Sequence, residues 1–227
     1  MNIGEAKRIT GGLGFPSKMP GTSYGLPASA CKIGMKLVNT PGSVCHGCYA
    51  LKDHYAWTNP QKAQHRRLAS IVDPAWTVAM ITLLAHVHSK PHIRVDLGKR
   101  IPRTRWNESG WHRWHDSGDL QSVPHLTKIC AVAAGTPQIR HWLPTRELAM
   151  VLAYTKAGGV IPGNLTIRVS ATMVDGPATS AWPTTSTVHH AAPAVGRACP
   201  APLQNNECGA CRACWDRVVA NVSYHKH

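Results

Sequence analysis

A chain of 227 residues is long enough for one sizeable core, and we read residues 1–227 as a single α/β domain rather than two. Lys and Arg outnumber Asp and Glu by 25 to 11, a formal charge of +14 that favours polyanionic partners without choosing among them. No apolar run is long enough to span a bilayer and the opening MNIGEAKRITGGLGF lacks a signal-peptide core, which excludes a membrane partner and leaves a reducing cytosol as the expected setting.

In chain order, the first chemical feature is an N-terminal cysteine segment over 20–50, with Cys31, Cys45 and Cys48 in CKIGMKLVNTPGSVCHGC. Lys62, His65, Arg66 and Arg67 follow on one solvated helix face. Asp73 and Pro74 open a further helix, whose Trp76, Ala79, Met80, Leu83, Leu84 and Val87 make an apolar stripe of helical period. A strand, HIRVDL, begins at His92 after Pro91. The next stretch, Lys99 to Trp114, mixes Lys99, Arg100, Arg103 and Arg105 with Trp106, Trp111 and Trp114; it suits either a nucleic-acid contact or a solvated lid.

From 92 to 190 the chain repeats a strand-helix unit. Arg113, Arg140 and Arg168 recur 27 and 28 residues apart, each near the start of a strand-like segment. Ser122 caps a helix reaching Ala134 with Gly135 at its end, and Thr145 caps another over Glu147 to Ala157. Cys130 shares the apolar face of the first with Leu126, Ile129 and Ala133, where a free thiol acts as a small hydrophobe. This alternation predicts an α/β fold with a parallel sheet, open or closed into an incomplete (β/α) barrel, since a complete one typically takes about 250 residues.

Parallel strands deliver their carboxyl ends to one rim. There His115, Asp116 and Asp119, grouped around Ser117 and Gly118, offer ionisable groups for binding or proton movement; Arg146, after Thr145, suits an anionic ligand. The competing role for the two aspartates is turn and cap hydrogen bonding. The expected partner of this mouth is a small molecule.

The C-terminal cysteine segment, 199–215, carries Cys199, Cys208, Cys211 and Cys214. Seven of the eight cysteines thus lie in two clusters with ligand spacing. The run C-x(2)-C-x(2)-C with an outlying Cys-Pro favours a [4Fe-4S] cluster, with structural zinc as the alternative. Three N-terminal thiols would leave one iron open. One cluster or two are compatible with these ligands, because chain ends often lie close together.

With CHGCYA at Cys45 to Ala50, SGD at Ser117 to Asp119, WLPTRE at Trp142 to Glu147 and CGACRACW at Cys208 to Trp215, the chain resembles the phage-encoded "gene product 88" type of predicted iron-sulfur protein. The resemblance implies a phage protein of the host cytosol that holds a cysteine-bound cluster, and it supplies no reaction. In plan the chain is also similar to radical S-adenosylmethionine enzymes, which place a three-cysteine cluster near the start of a partial barrel and often an auxiliary cluster near its end. That likeness implies a redox or radical enzyme with S-adenosylmethionine as a further ligand. The chain departs from it in having C-x(13)-C-x(2)-C in place of C-x(3)-C-x(2)-C, with no clear glycine-rich segment following. The alternative function is a metal-stabilised nucleic-acid-binding or host-interaction protein.

Overall fold

The structure, a computed structural model, describes residues 1–96 and 104–226. In chain order its elements are α1 (Ile3–Thr10), β1 (Thr22–Tyr24), α2 (Lys32–Leu37), α3 (Asp53–Ala56), α4 (Thr58–Ser70), α5 (Trp76–Val87), β2 (His92–Asp96), β3 (Thr104–Glu108), β4 (Trp111–Trp114), α6 (Val123–Ala134), β5 (Arg140–Thr145), α7 (Leu148–Lys156), β6 (Leu165–Val174), β7 (Thr185–His189), β8 (Arg197–Ala198) and β9 (Asn221–His225). Seven strands form one sheet in the order β1-β4-β5-β6-β7-β9-β8, and each neighbouring pair is parallel. Among the described residues β1 and β8 are its edge strands, so the sheet is open; Gly14 bridges the outer side of β1 at Ser23.

The strand-helix repeat is real: β4, β5 and β6 are adjacent and parallel, and α6 and α7 between them pack on one face. Its arginines are not equivalent, because Arg113 lies opposite Trp142 while Arg140 lies opposite Trp111 and Arg168 opposite Pro144. The α6 signals act as expected, with Ser122 Oγ accepting from the His125 amide. Thr145 does not cap α7; its hydroxyl accepts from the Glu147 amide in a tight turn, and the helix begins at Leu148. Cys130 is buried with Leu126, Ile129 and Ala133 in the main core, where burial pushes its thiol up to about 11.

The strand at His92 does not enter this sheet. It pairs antiparallel with β3 as a separate ribbon, and the place beside β4 is taken by the three-residue β1. Asn107 of β3 fastens the ribbon by donating to the carbonyls of Met19 and Gly21, just before β1. The aromatic core explains why β1 wins its position: the Tyr24 hydroxyl donates to the Thr10 carbonyl at 2.6 Å, bonds Ser70 and accepts from Trp76 Nε1, so one side chain joins α1, α4 and α5 to the sheet. Trp114 is fully buried against Tyr24 and Trp76.

Five histidines, His88, His112, His115, His125 and His141, are buried. Gly110 donates its amide to His88 Nδ1, so the neutral ring carries its proton on Nε2 and gives it to Thr22 Oγ1; Thr22 in turn donates to His112 Nδ1. His141 Nε2 bonds Thr136, whose own proton goes to the Val132 carbonyl. Burial holds His88 down to about 4, His125 and His141 to about 3, and His112 and His115 well below the ordinary value. An unfolded chain would take up protons near 6.5 that the folded one refuses, so stability is complete above that value and is lost as the pH falls through it. At about 1.4 kcal/mol per histidine per pH unit, five of them remove up to about 7 kcal/mol per unit, comparable to the whole stability of a domain. Circular dichroism should therefore show cooperative acid unfolding near about pH 5, with the urea midpoint already falling between about pH 6.5 and about pH 5.5. An acid midpoint below about pH 4, with a flat urea midpoint above it, would contradict this account.

Candidate metal centre

The carboxyl rim of the sheet is tied together by Asp119. Its Oδ1 accepts from Thr145 Oγ1 at 2.6 Å and from the Leu120 amide at 2.7 Å, and its Oδ2 accepts from the Arg146 amide at 2.9 Å. Burial raises its pKa, and these three bonds act in the opposite direction. The turn leading to it depends on Gly118, at a φ of 76°, where a Cβ would lie 2.8 Å from the Leu26 carbonyl oxygen. The strand ends of β4 and β5 are thus joined through one carboxylate.

The N-terminal thiols gather beside this link. Cys31 follows the chain leaving β1, and its Sγ and that of Cys45 lie 3.7 and 3.6 Å from the point a Cβ on Gly34 would occupy, so the glycine leaves open a cradle flanked by two sulfurs. Burial, followed by the negative fields of Asp119, Cys48 and Cys45, pushes Cys31 up to about 12, while Arg146 acts against it. Burial also raises Cys45, again opposed by Arg146. The cysteine loop is held to the sheet where Val44 donates its amide to the Thr172 carbonyl near the carboxyl end of β6. Glu147 completes the support: its buried carboxylate accepts the Ile33 amide at 2.9 Å in the first turn of α2, the helix that Cys31 opens.

The C-terminal thiols lie on the opposite face. Returning from the edge strand β8 to β9 reverses the direction of strand addition, and a right-handed crossover then carries the connection, 199–220, across the face that α6 and α7 leave bare. Trp215 anchors it, packed edge-on against Trp111 and Trp142, with Nε1 donating to the His112 carbonyl. Arg168, fully buried on β6, spends its guanidinium on the carbonyls of Ala213, Cys214, Asp216, Val219 and Thr185. Cys214 Sγ is 3.2 Å from the Tyr224 hydroxyl, and burial pushes it up to about 12. Burial likewise raises Cys208, which senses the Cys199 and Cys211 thiols and the Arg113 and Arg212 cations.

The four polar residues expected at the mouth separate. Asp119 and Arg146 adjoin Cys31 and Cys45. Asp116 stands apart beside Tyr55, with one carboxylate oxygen buried and unpartnered; burial works against the Arg113 charge, and the Asp116 carboxylate favours it. His115 adopts a left-handed φ of 58° and turns its ring inward to His125 of α6, leaving both ring nitrogens unpartnered. Trp111 and Trp114 are packing residues, not stacking platforms; Lys99, Arg100 and Arg103 lie outside the described residues, as do the side chains of Arg105 and Trp106. Arg67 leaves the solvated face expected for it, donating to the Gly12 carbonyl and lying over the Tyr24 ring. The sequence does not single out Glu147, Gly34 or Tyr224, with only the TRE turn pointing near the first, and it marks Arg168 as a repeat position rather than as the support of the cysteine segment.

The seven thiols therefore form two groups in separate places, one at the rim and one across the back. Among the described residues no three His, Cys, Asp or Glu side chains close on a point as ligands of a single metal ion do. Their sulfurs are soft donors by chemistry, and burial favours the thiol form at Cys31 and Cys214. These features define an α/β protein with an open parallel sheet and two cysteine-bearing loops. Within that class the chain belongs to the Gene product 88 family, a phage gene-product family whose model matches residues 2–217. No curated protein and no solved structure matches it. No helix among the described residues is long and apolar enough to cross a membrane.

Removing the Glu147 carboxylate should loosen the first turn of α2. Glu147→Ala is expected to cost about 1–3 kcal/mol in urea unfolding and to speed Cys31 modification by a disulfide reagent, while Glu147→Gln, which keeps an acceptor, should lose less. On the other face, Arg168→Met leaves five carbonyls without their donor. A loss of about 4 kcal/mol or more is expected, with Cys214 becoming reactive; wild-type stability would show that the guanidinium does not hold the segment.

Proposed function

We propose that the protein is an iron-sulfur protein in which Cys31, Cys45 and Cys48 hold a [4Fe-4S] cluster at the rim and Cys199, Cys208, Cys211 and Cys214 hold a second across the back. The observation that carries this reading is the gathering of the N-terminal thiols beside Arg146 and Asp119 at the sheet's carboxyl end, where α/β proteins bind ligands. A bound cluster supplies electron transfer and, with three protein thiolates, an open coordination position. Arg146, with its Nε buried and unpartnered, orients an anionic group of a small-molecule ligand there. Asp119 is a positioning residue, since its bonds hold the turn that presents Arg146. The role is redox or radical-enzyme chemistry, and S-adenosylmethionine is a ligand to test.

The experiment is anaerobic reconstitution followed by iron and acid-labile sulfide determination. Wild type should carry both, Cys45→Ala/Cys48→Ala should lose about half, and Cys208→Ala/Cys211→Ala should lose the other half. Stoichiometric zinc without sulfide would replace the reading with a structural-zinc protein. Adding S-adenosylmethionine should alter the electron paramagnetic resonance signal of the reduced protein only when the N-terminal thiols are intact.

A further inference from the structure

We infer that the face formed by α4, α1 and α5, on the helix side of the molecule, is a docking surface for single-stranded nucleic acid. A groove of about 530 Å³ runs between these helices, lined by Lys7, Arg8, Phe15, Arg66 and His86 among others. Arg66 also lines a second hollow on α4 with Lys62 and His65, so the two make one continuous strip. Lys7, Arg8, Lys62, His65, Arg66 and His86 are all exposed. Among the described residues Lys7, Arg8, Lys62 and Arg66 form no ion pair with a carboxylate, where Arg212 pairs with Glu108 elsewhere.

Exposed aromatic rings stand at both ends of this cationic strip. Trp57, 60% exposed, precedes α4 at a helix start with no side-chain cap, and Phe15, 42% exposed, closes the groove at the other end. Lys7 and Arg8 also suit the carboxyl end of α1, where the helix dipole favours cations. That accounts for neither the cations along the body of α4 nor the two rings held in water. A track of unpaired charge is complementary to a phosphate backbone, and the rings select a strand whose bases are free to stack. A duplex keeps its bases stacked on each other and would use the charge alone. From Trp57 to Arg66 the helix rises about 14 Å, so the strip and groove together engage a few phosphates.

The test is fluorescence anisotropy of the full-length protein with a labelled oligothymidylate of about 20 nucleotides, alongside a duplex of equal length. With about four phosphates engaged, log affinity should fall with log salt at a slope of about −3. Lys7→Glu/Arg8→Glu/Arg66→Glu should weaken binding about 100-fold or more, whereas Arg140→Glu/Lys156→Glu, which alters net charge on exposed residues elsewhere, should change it about threefold at most. Trp57→Ala and Phe15→Ala should each cost at least about fivefold for the single strand and leave duplex binding unchanged. All substituted side chains are solvent-exposed, and circular dichroism verifies folding. Equal weakening by the two sets of charge reversals would reduce the effect to net charge and overturn the assignment. Duplex binding as tight as single-strand binding, or indifference to both aromatic substitutions, would overturn it as well.

Discussion

The carboxylate of Asp119 is the point on which the rim of the sheet depends. A parallel sheet brings its strand ends to one level but leaves the turns after them unconnected, and here one buried side chain takes donors from both neighbouring turns. Because Oδ2 accepts from the Arg146 amide, the turn carrying that arginine is fixed through its backbone. Glu147, next in the chain, reaches across to the start of α2 and so places Cys31. A chain of short polar contacts thus connects the turn after β4, the turn after β5 and the first thiol.

The back face is organised by a different solution to the same problem. The segment bearing the last four cysteines has little regular structure, so its carbonyls need partners from elsewhere. Arg168 provides five N–H groups from the middle of a strand, and Trp215 fills the space between Trp111 and Trp142. No thiol of one group is among the influences on the other, and Arg113, which senses Asp116, acts in turn on Cys208. The two thiol groups therefore keep separate surroundings within one small protein.

Charge is distributed with equal consequence. The core holds five neutral histidines at positions that could have been aliphatic, and Thr22 relays hydrogen bonds between two of them. Such a core is specific in its polar pairing and vulnerable to acid. Among the described residues the exposed Lys and Arg side chains of α4 and α1 stand without carboxylate ion pairs. The helix layer and the cysteine loops consequently present different chemistry to solvent.

Features with short-range causes were legible in the sequence. The two cysteine groups are visible as spacing, α6 as a capped apolar period, Cys130 as a member of its apolar face, and β4, β5 and β6 as successive strand-helix units. Pairings between distant segments were not. The β1 strand has only three residues and no period of its own; it enters the sheet because Tyr24 bonds groups on α1, α4 and α5, while the more strand-like HIRVD segment finds its partner in β3. His115 looked like part of the mouth because it follows a strand, but a left-handed φ sends its ring into the core. Arg113, Arg140 and Arg168 looked alike because period is one-dimensional, yet register and strand face leave Arg140 exposed and bury Arg168 among carbonyls. Local sequence determined which segments would be helix, strand and thiol loop; the long-range hydrogen bonds of the tertiary structure decided which of their side chains meet.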